Sequence, residues 1–296
     1  MIKGIVLKQQ KGLYTVEAED GTKLLGYAGS KLRKNGVKLL AGDIILYTIN
    51  PDGTIFITDI EPRKNDFIRP PVANVDTIVL VVATAEPEPD YYNIDSVLAM
   101  ADAAQAKSVI VFNKTDIADA ESFLQVYTSS NYKVVALSAL DNSLVCSDLY
   151  NCLEGVCVFT GQSGVGKSTL INKLFPELEV ETGELSERIR RGKNTTRHTE
   201  LFPLGNGLYL ADTPGFSSID FLSFDILKLA DFEENCFPEL LEFKDKCKFR
   251  GCSHLKEDGC AVISAVQDGL VQKTRYESYS KLKRVLLQKE ANKYAR

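Results

Sequence analysis

The spacing of hydrophobic residues changes character about a quarter of the way along this chain. Up to about residue 66, apolar and polar positions alternate over short segments separated by turn signals such as Asp20-Gly21 and Pro51-Asp52-Gly53. The pattern predicts five short strands, at residues 4–7, 13–16, 23–27, 43–47 and 54–58. Five short strands in this length are typical of a small β-barrel of the oligonucleotide-binding kind (OB-fold).

After a predicted linker at Arg69-Pro70-Pro71, continuous apolar runs alternate with amphipathic helical patterns. We predict strands at 75–83, 108–112, 134–137, 156–160 and 208–211, and helices at 94–106, 122–129 and 167–174. Buried strands that alternate with helices indicate a parallel sheet covered on both faces. From residue 221 the strand pattern stops, and a final helix is predicted from about residue 274. The expected fold is therefore multidomain: a barrel at 1–66, an α/β domain at 67–222 and a mostly α-helical domain at 223–296.

The amino-acid composition indicates the class of protein. The 296 residues are 44% hydrophobic and 25% charged, which is typical of soluble globular proteins. The longest apolar run, at 78–83, is far shorter than the roughly 20 residues of a membrane span. A lysine at position 3 comes too early for a signal peptide. We expect a cytoplasmic protein with no membrane association, and nothing in the sequence indicates more than a monomer.

One segment after a predicted strand fits the phosphate-binding pattern G-x-x-x-x-G-K-[ST] at every fixed position. Its glycines let backbone N–H groups curl around an anion at the start of the following helix. Lys167 is expected to reach the β- and γ-phosphates, and the Ser168 hydroxyl to bind Mg²⁺. A chance match is the alternative. The predicted nucleotide-binding residues here are Gly161, Gln162, Ser163, Gly164, Val165, Gly166, Lys167, Ser168 and Thr169.

Two further segments resemble the guanine-reading elements of GTPases. Asn113-Lys114-Thr115-Asp116 ends one predicted strand, and Ser138-Ala139 ends the next. In the GTPases that share the N-K-x-D element, the aspartate accepts hydrogen bonds from guanine, the lysine stem packs on the base, and the S-A element meets guanine O6. Adenine presents the opposite pattern of donors and acceptors, so Asp116 predicts a preference for GTP over ATP.

The elements that sense the γ-phosphate follow the phosphate loop. Asp212-Thr213-Pro214-Gly215 ends a predicted strand, where GTPases hold Mg²⁺ through the aspartate and touch the γ-phosphate with the glycine N–H. Thr196 is expected to close on Mg²⁺ when the γ-phosphate is bound, and we predict Lys167 and Thr196 as the catalytic residues. Phe216 stands where many GTPases have the glutamine that orients water. Phenylalanine cannot hydrogen-bond to water, so the water-positioning residue is unassigned and slow intrinsic turnover is expected.

The order of these motifs is unusual. In an ordinary GTPase the phosphate loop precedes the guanine-reading element, whereas here residues 113–116 precede residues 161–168. All the parts are present, but their order is rotated. The sequence therefore predicts a circularly permuted GTPase domain.

Cysteine spacing indicates a metal site in the last third of the chain. Of seven cysteines, three combine with a histidine in the pattern Cys247-x4-Cys252-x-His254-x5-Cys260. Three thiolates and one imidazole form a complete tetrahedral set, which predicts one structural Zn²⁺ ion. Buried free cysteines are the alternative. The following segment, 271–296, carries eight lysines and arginines against two glutamates, so it is a basic element on a chain of net charge −5.

Together, the permuted motif order and the cysteine cluster resemble the ribosome small subunit-dependent GTPase A (RsgA) family over essentially the whole chain. The resemblance implies a late assembly factor for the 30S subunit whose hydrolysis of GTP to GDP is stimulated by that subunit. It also implies that the barrel and the zinc domain grip 16S rRNA. This chain departs from the family at Asn194, where a histidine is usual.

Two alternatives stay open at the level of sequence. One is a non-enzymatic RNA-binding scaffold that uses GTP as a structural ligand, which Phe216 and Asn194 favour. The other is a phosphate-loop ATPase or small-molecule kinase. Asp116 and Ser138-Ala139 oppose that second alternative.

Overall fold

The computed structural model describes residues 2–30, 32, 36–68, 71–127, 132–141, 147–178, 199–212, 229 and 231–294. They form two units. The first contains Met1–Val79, Val145–Gly161 and Lys167–Ser217, and the second contains Leu80–Leu144, Gln162–Gly166 and Ser218–Arg296. One strand and the phosphate loop contribute residues to both units, so we describe each unit by itself.

The first unit contains a closed five-stranded barrel. Its strands are β1 (Ile2–Gln10), β2 (Leu13–Ala18), β3 (Lys23–Ala28), β4 (Ile44–Ile49) and β5 (Ile55–Ile60). They are ordered β1-β2-β3-β5-β4, and β4 pairs with β1 to close the barrel. Only β3 and β5 run parallel. The alternating pattern of the sequence places one set of side chains inside, among them Val6, Val16, Ile45, Tyr47, Ile55 and Ile57. The predicted barrel is confirmed.

A short hairpin lies where the sequence suggests a linker. Strands β6 (Asp66–Ile68) and β7 (Pro71–Ala73) pair antiparallel, and the Ala73 N–H donates to the Ala41 carbonyl at 2.9 Å. Arg63 holds the hairpin to the end of the barrel, because its guanidinium contacts Asp66 at 2.9 Å and the fully buried Asp43 at 2.7 Å. The residues before β8 are therefore fixed by an ion-pair network.

The predicted α/β sheet is present. Its strands are β8 (Val75–Ala83), β9 (Lys107–Asn113), β10 (Lys133–Ala136), β11 (Val156–Thr160), β12 (Glu200–Gly205) and β13 (Leu208–Asp212). In the first unit the order is β8-β11-β13-β12, and in the second it is β10-β9-β8. The pairs β10–β9 and β11–β13 are parallel, whereas β12 and β13 form an antiparallel hairpin at the edge. Mixed sheets of this kind commonly carry an antiparallel edge strand.

The three helices predicted in the α/β domain, and the start of the predicted final helix, agree with the structure within a few residues, and four short helices have no predicted counterpart. They are α1 (Tyr91–Ala103), α2 (Glu121–Tyr127), α3 (Ser147–Tyr150), α4 (Lys167–Leu174), α5 (Phe232–Cys236), α6 (Leu241–Lys244), α7 (Ala261–Gln267) and α8 (Lys273–Tyr294). Helix α1 begins three residues earlier than predicted, because the Asp90 carboxylate caps it by accepting from the Tyr92 N–H at 3.0 Å. None of the helices in the described ranges has the length and hydrophobicity that a membrane span requires.

The core of the second unit joins helix α1 to the C-terminal helices. Phe232 stacks on Tyr279 with ring centroids 5.8 Å apart, and Phe237 meets the same tyrosine edge-on at 5.4 Å. Ala99 of α1 and Leu282 of α8 belong to this cluster of buried side chains. A helix that the sequence assigns to the GTPase domain therefore shares its core with the cysteine-rich region.

A buried ion-pair network reinforces the same packing. Arg275 of α8, only 1% exposed, contacts Asp95 of α1 and Glu239 at 2.7 Å each. The Tyr127 hydroxyl donates to Asp95 at 3.1 Å, and the guanidinium lies 4.5 Å from the Phe237 ring centroid. Burial raises the pKa of the Asp95 carboxyl, and the Arg275 charge opposes that shift. This cluster, which we call the Arg275 network, connects α1, the end of α2 and α8.

Candidate functional site

One buried side chain holds three nucleotide-site segments together. Asn113 ends β9 and is 2% exposed. Its Oδ1 accepts a hydrogen bond from the Ala139 N–H at 2.8 Å, and its Nδ2 donates to the Val165 carbonyl at 2.8 Å. The N-K-x-D segment, the S-A segment and the phosphate loop are therefore fixed by a single amide group. The sequence predicts Asn113 only as a residue that contacts the nucleotide. In the structure its side chain positions the S-A segment and the phosphate loop.

This amide also explains one glycine of the phosphate loop. Gly166 has a φ of +94°, a backbone conformation that residues with a side chain rarely adopt. A Cβ atom there would lie 2.3 Å from Asn113 Nδ2, closer than two such atoms can approach. Gly166 is thus required by the packing of the loop against β9, in addition to any contact with phosphate.

Replacing Asn113 with alanine is expected to weaken GTP and GDP binding by at least about tenfold. The substitution leaves the Ala139 N–H and the Val165 carbonyl without their partner, and a buried unsatisfied group costs about 1–3 kcal/mol. Isothermal titration with both nucleotides measures the loss. Asn235→Ala, at an exposed position of α5, is the matched control and should bind normally. Wild-type affinity in Asn113→Ala would contradict the positioning role.

The rest of the guanine-reading segment forms a tight turn after β9. Lys114 has a φ of +69°, and its carbonyl accepts from the Thr84 hydroxyl at 2.8 Å. Its ammonium group donates to the Glu86 carbonyl. The Thr115 N–H donates to the Leu137 carbonyl at 3.3 Å, whereas Asp116 is exposed. The turn therefore presents the Asp116 carboxylate to solvent on a fixed backbone.

The S-A segment is buried beside this turn. Ser138 is buried, and its hydroxyl oxygen accepts from the Leu140 N–H at 3.2 Å. Ala139 is also buried, and its N–H is bound by Asn113. Both predicted residues thus belong to the same arrangement as the N-K-x-D segment.

The phosphate loop connects a fully buried strand to a helix. Strand β11 ends at Thr160, and α4 begins at Lys167. Gly161 and Gly164 have φ of +138° and +82°, which gives the loop the curvature that an anion-binding backbone needs. The Lys167 ammonium donates to the Gly161 carbonyl, at the first residue of the loop, at 2.7 Å. Other predicted members are accessible: Gln162, Ser168 and Thr169 are half-buried, and Ser163 is exposed.

The γ-phosphate-sensing residues are only partly described. Asp212 is the last residue of β13, and its side chain lies outside the described residues. Thr196, Gly215, Asn194 and Phe216 also lie outside them. Their roles remain predictions from the sequence.

The four predicted metal ligands come together in the second unit. Their ligand atoms all lie within 4.8 Å of one another. Cys247 Sγ is 3.9 Å from Cys260 Sγ, and His254 Nδ1 is 3.5 Å and 3.4 Å from these two sulfurs. A tetrahedral Zn²⁺ with ordinary bond lengths places two sulfurs about 3.8 Å apart and a sulfur about 3.5 Å from a nitrogen. The cluster, completed by Cys252, is compatible with zinc.

The protonation of the cluster depends on whether a cation is bound. Burial raises the pKa of both Cys252 and Cys260, so these thiols stay protonated unless a positive charge compensates. A bound Zn²⁺ reverses that preference, because a coordinating thiol is deprotonated. Cys247 Sγ also accepts from the Ala261 N–H at 3.4 Å, which orients it at the start of α7.

A second layer of groups fixes the histidine. With Nδ1 toward the cysteines, His254 Nε2 lies 4.0 Å from Glu233 Oε2. Ligating imidazoles usually place the other nitrogen near a carboxylate in this way. Glu233 is held by the Tyr279 hydroxyl at 2.6 Å and by Lys283, and the Tyr276 hydroxyl donates to the His254 carbonyl at 2.9 Å. Helix α8 thereby supports the cluster.

Glu257 organises the ligand loop from within. Its carboxylate accepts hydrogen bonds from the N–H groups of Ser253, Leu255 and Lys256 at 2.8–3.0 Å. Burial would raise the pKa of this carboxyl, but these bonds and the Ser253 hydroxyl outweigh burial and hold it well below its usual range. Glu257 is not among the predicted site residues, although its position between the ligands His254 and Cys260 is a signal in the sequence.

Comparisons with known proteins identify the family to which this combination of GTPase segments and a cysteine–histidine cluster is similar. The family model described as RsgA GTPase matches residues 60–222, and one described as 50S ribosome-binding GTPase matches residues 156–292. The chain is 39% identical over 286 residues to the Small ribosomal subunit biogenesis GTPase RsgA of Bacillus cereus (strain ATCC 10987), covering 94% of this chain and 95% of that protein. The relative of the same name from Bacillus subtilis (strain 168) is 38% identical over 293 residues, with the same coverage of both chains.

Two solved structures resemble the whole chain. The crystal structure of YjeQ from Thermotoga maritima superposes with a TM-score of 0.80 at 32% identity and covers 97% of this chain and 98% of that one. The structure of YloQ, described as a circularly permuted GTPase, gives a TM-score of 0.77 at 30% identity, with 97% and 96% covered. The predicted architecture of barrel, permuted GTPase domain and C-terminal helical region is confirmed.

Proposed function

Because this chain belongs to the RsgA GTPase family, we propose that it binds the 30S ribosomal subunit and acts as a late small-subunit assembly factor. It is a GTP hydrolase, and in this proposal the subunit stimulates its hydrolysis of GTP to GDP and phosphate. The observation that carries the proposal is the buried Asn113 amide, which brings the guanine-reading and phosphate-binding segments together in permuted order.

In this proposal each part of the site has a defined task. Asp116 selects guanine, Ser138-Ala139 meets its O6, and the loop from Gly161 to Thr169 cradles the phosphates. Lys167 stabilises charge on the transferred phosphoryl group, and Thr196 completes the site when the γ-phosphate is bound. Asp212, the last residue of β13, and Gly215 sense that phosphate.

Two metal ions belong to the proposal. Mg²⁺ arrives with GTP, and the Ser168 and Thr196 hydroxyls would hold it and so neutralise phosphate charge. One structural Zn²⁺ is held by Cys247, Cys252, His254 and Cys260. Because all four positions around it are filled by protein, it has no open site for catalysis.

The partner is ribosomal RNA in the same proposal. The barrel at 1–66 and the zinc-binding domain at 223–296 bind 16S rRNA, and the GTPase domain at 67–222 binds the nucleotide. The protein acts in the cytoplasm as a monomer that cycles between GTP and GDP. The three-domain division is supported by the RsgA GTPase match, which ends at residue 222.

The direct test is GTP hydrolysis with and without purified 30S subunits. We expect the subunits to raise turnover by at least about tenfold, since groups supplied by a partner can contribute 10³–10⁵ in GTPases. Lys167→Ala should abolish the stimulated rate, whereas Lys173→Ala, later in the same helix, should retain it. Bound GTP without any stimulation would instead support the non-enzymatic scaffold, which Phe216 and Asn194 favour.

A further inference from the structure

An aromatic side chain stands exposed on the cysteine-rich loop. Phe249 is 51% exposed and lies between the ligands Cys247 and Cys252. It is absent from the buried cluster that takes in the other aromatic residue of this segment, Phe243. Leaving a phenylalanine in water forgoes the free energy that its burial would provide. Packing in the core of the second unit therefore does not explain why residue 249 is a phenylalanine.

The loop that carries Phe249 is held in place. Cys247 and Cys252 on either side of it belong to the metal cluster. The Lys248 N–H donates to the Gly259 carbonyl at 3.0 Å, and the Lys248 stem packs within about 3.0 Å of where a Gly259 side chain would begin. The ring is therefore presented on a fixed backbone, which lowers the entropy lost when a ligand binds to it.

Several cations lie close to Phe249 in the sequence, and one of them lies against its ring, whereas the Lys246 ammonium lies 5.3 Å from the Phe243 ring centroid. The seven residues from 244 to 250 contain four cations (Lys244, Lys246, Lys248 and Arg250) and one anion (Asp245), a local charge of +3 on a chain whose net charge is −5. The Lys248 ammonium lies 5.3 Å from the Phe249 ring centroid. This combination of an exposed ring and flanking cations, which we call the Phe249 knuckle, offers one surface for stacking and several charges for an anionic backbone.

RNA with unpaired bases is the ligand that matches both features. An unstacked base packs on an aromatic ring, and the adjacent phosphates pair with lysine and arginine. An acidic protein surface would use the charges and leave the ring unexplained. A duplex would offer phosphates but no free base face.

We propose that the Phe249 knuckle is a stacking site for an unpaired RNA base, with Lys246, Lys248 and Arg250 on the flanking phosphates. This inference rests on the proposed function, which makes ribosomal RNA the partner. It adds the residues that contact the RNA and the form of RNA that they contact.

The chain contains no tryptophan, so Phe249→Trp introduces a single fluorescent reporter at the site. In the full-length, zinc-loaded protein, a single-stranded 16S rRNA fragment should quench this tryptophan strongly, and the same fragment annealed into a duplex should not. Leu270→Trp is the matched control, because Leu270 is 68% exposed and lies outside the knuckle. Equal quenching at both positions, or no quenching at position 249, would overturn the proposal.

Affinity measurements separate stacking from charge. Phe249→Ala should weaken single-strand binding by about 5- to 150-fold, whereas Phe249→Tyr should restore it, because base stacking on an aromatic ring contributes in that range. Lys248→Gln should make RNA binding less dependent on salt concentration. When it is combined with Phe249→Trp, the RNA should still quench the tryptophan fluorescence. An alanine variant that binds like the wild type contradicts the proposal, as does a knuckle that binds a ribosomal protein and no RNA.

Failure of this inference can be told apart from failure of the proposed function. Wild-type protein that is stimulated by 30S subunits, together with an unquenched reporter, would refute only the stacking site. Wild-type protein that subunits do not stimulate would refute the proposed function, whatever the reporter shows.

Discussion

In the proposed zinc-bound protein, removing the metal ion from the cysteine–histidine cluster is expected to unfold the region from α5 to α8. In the proposed zinc-bound state, four ligands and the loop that Glu257 organises surround one cation, and burial raises the pKa of the Cys252 and Cys260 thiols when that cation is removed. Structural zinc sites contribute about 10–16 kcal/mol of apparent binding free energy, more than the total stability of most domains. Chelation should therefore abolish the helical circular dichroism of this region at 25 °C.

A matched pair of serine variants tests whether loss of the metal ion causes this unfolding. Cys260→Ser removes a ligand, whereas Cys236→Ser alters a buried thiol of the same unit that donates to the Ala99 carbonyl and keeps a donor there. Elemental analysis should find one zinc per chain in the wild type and in Cys236→Ser, and less than one in Cys260→Ser. A chelated protein with unchanged helical signal and melting temperature would contradict this expectation.

Breaking the Arg275 network should have the second largest effect on stability. Arg275→Met preserves the apolar stem that packs near Phe237 but leaves Asp95 and Glu239 buried without their counter-charge. Removing one partner of a buried ion pair costs about 3–5 kcal/mol. Urea denaturation should show this loss, and Arg284→Met, at an exposed position of the same helix, should lie within about 0.5 kcal/mol of the wild type.

The free energy of unfolding lost in Arg275→Met should also depend on pH in a defined direction. Burial already raises the pKa of Asp95 in the folded protein, and removing Arg275 takes away the charge that opposes this shift, so the pKa should rise further. A carboxyl with a raised folded pKa stabilises the fold at low pH and loses that contribution as pH rises through the folded pKa. The deficit of Arg275→Met relative to the wild type should therefore be larger at pH 7.5 than at pH 5.5. A deficit that shrinks as pH rises would contradict the burial of Asp95.

Local patterns sufficed to predict most elements of this fold. Strands β8 and β11 and helix α4 were predicted to the residue, because uninterrupted apolar runs and a glycine-rich loop define their ends. The parallel pairing of β3 with β5 in the barrel could not be predicted from the alternation within single strands. Strand order depends on contacts between distant segments, and no local pattern encodes those contacts.

The motifs located the site, but they did not reveal its internal supports. Asn113 was assigned to nucleotide by its motif, whereas its two hydrogen bonds go to Ala139 and Val165, which lie 26 and 52 residues away. The segment at 271–296 is a basic element by its sequence. Two of its cations are instead buried, since Arg275 binds carboxylates of the core and Lys283 binds Glu233. Charge counted along a sequence does not distinguish a solvated lysine from one inside a network.

The Arg275 network also has a consequence for the synthesis of the protein. Asp95 and Arg275 are separated by 180 positions. At about 5–20 residues per second, Arg275 is made roughly 10–40 s after Asp95. During that interval α1 lacks both its counter-charge and the helices that cover it. The barrel needs only contacts among its own early residues, so it can fold before α8 is synthesised. Helix α1 can complete its packing only after α8 has been synthesised.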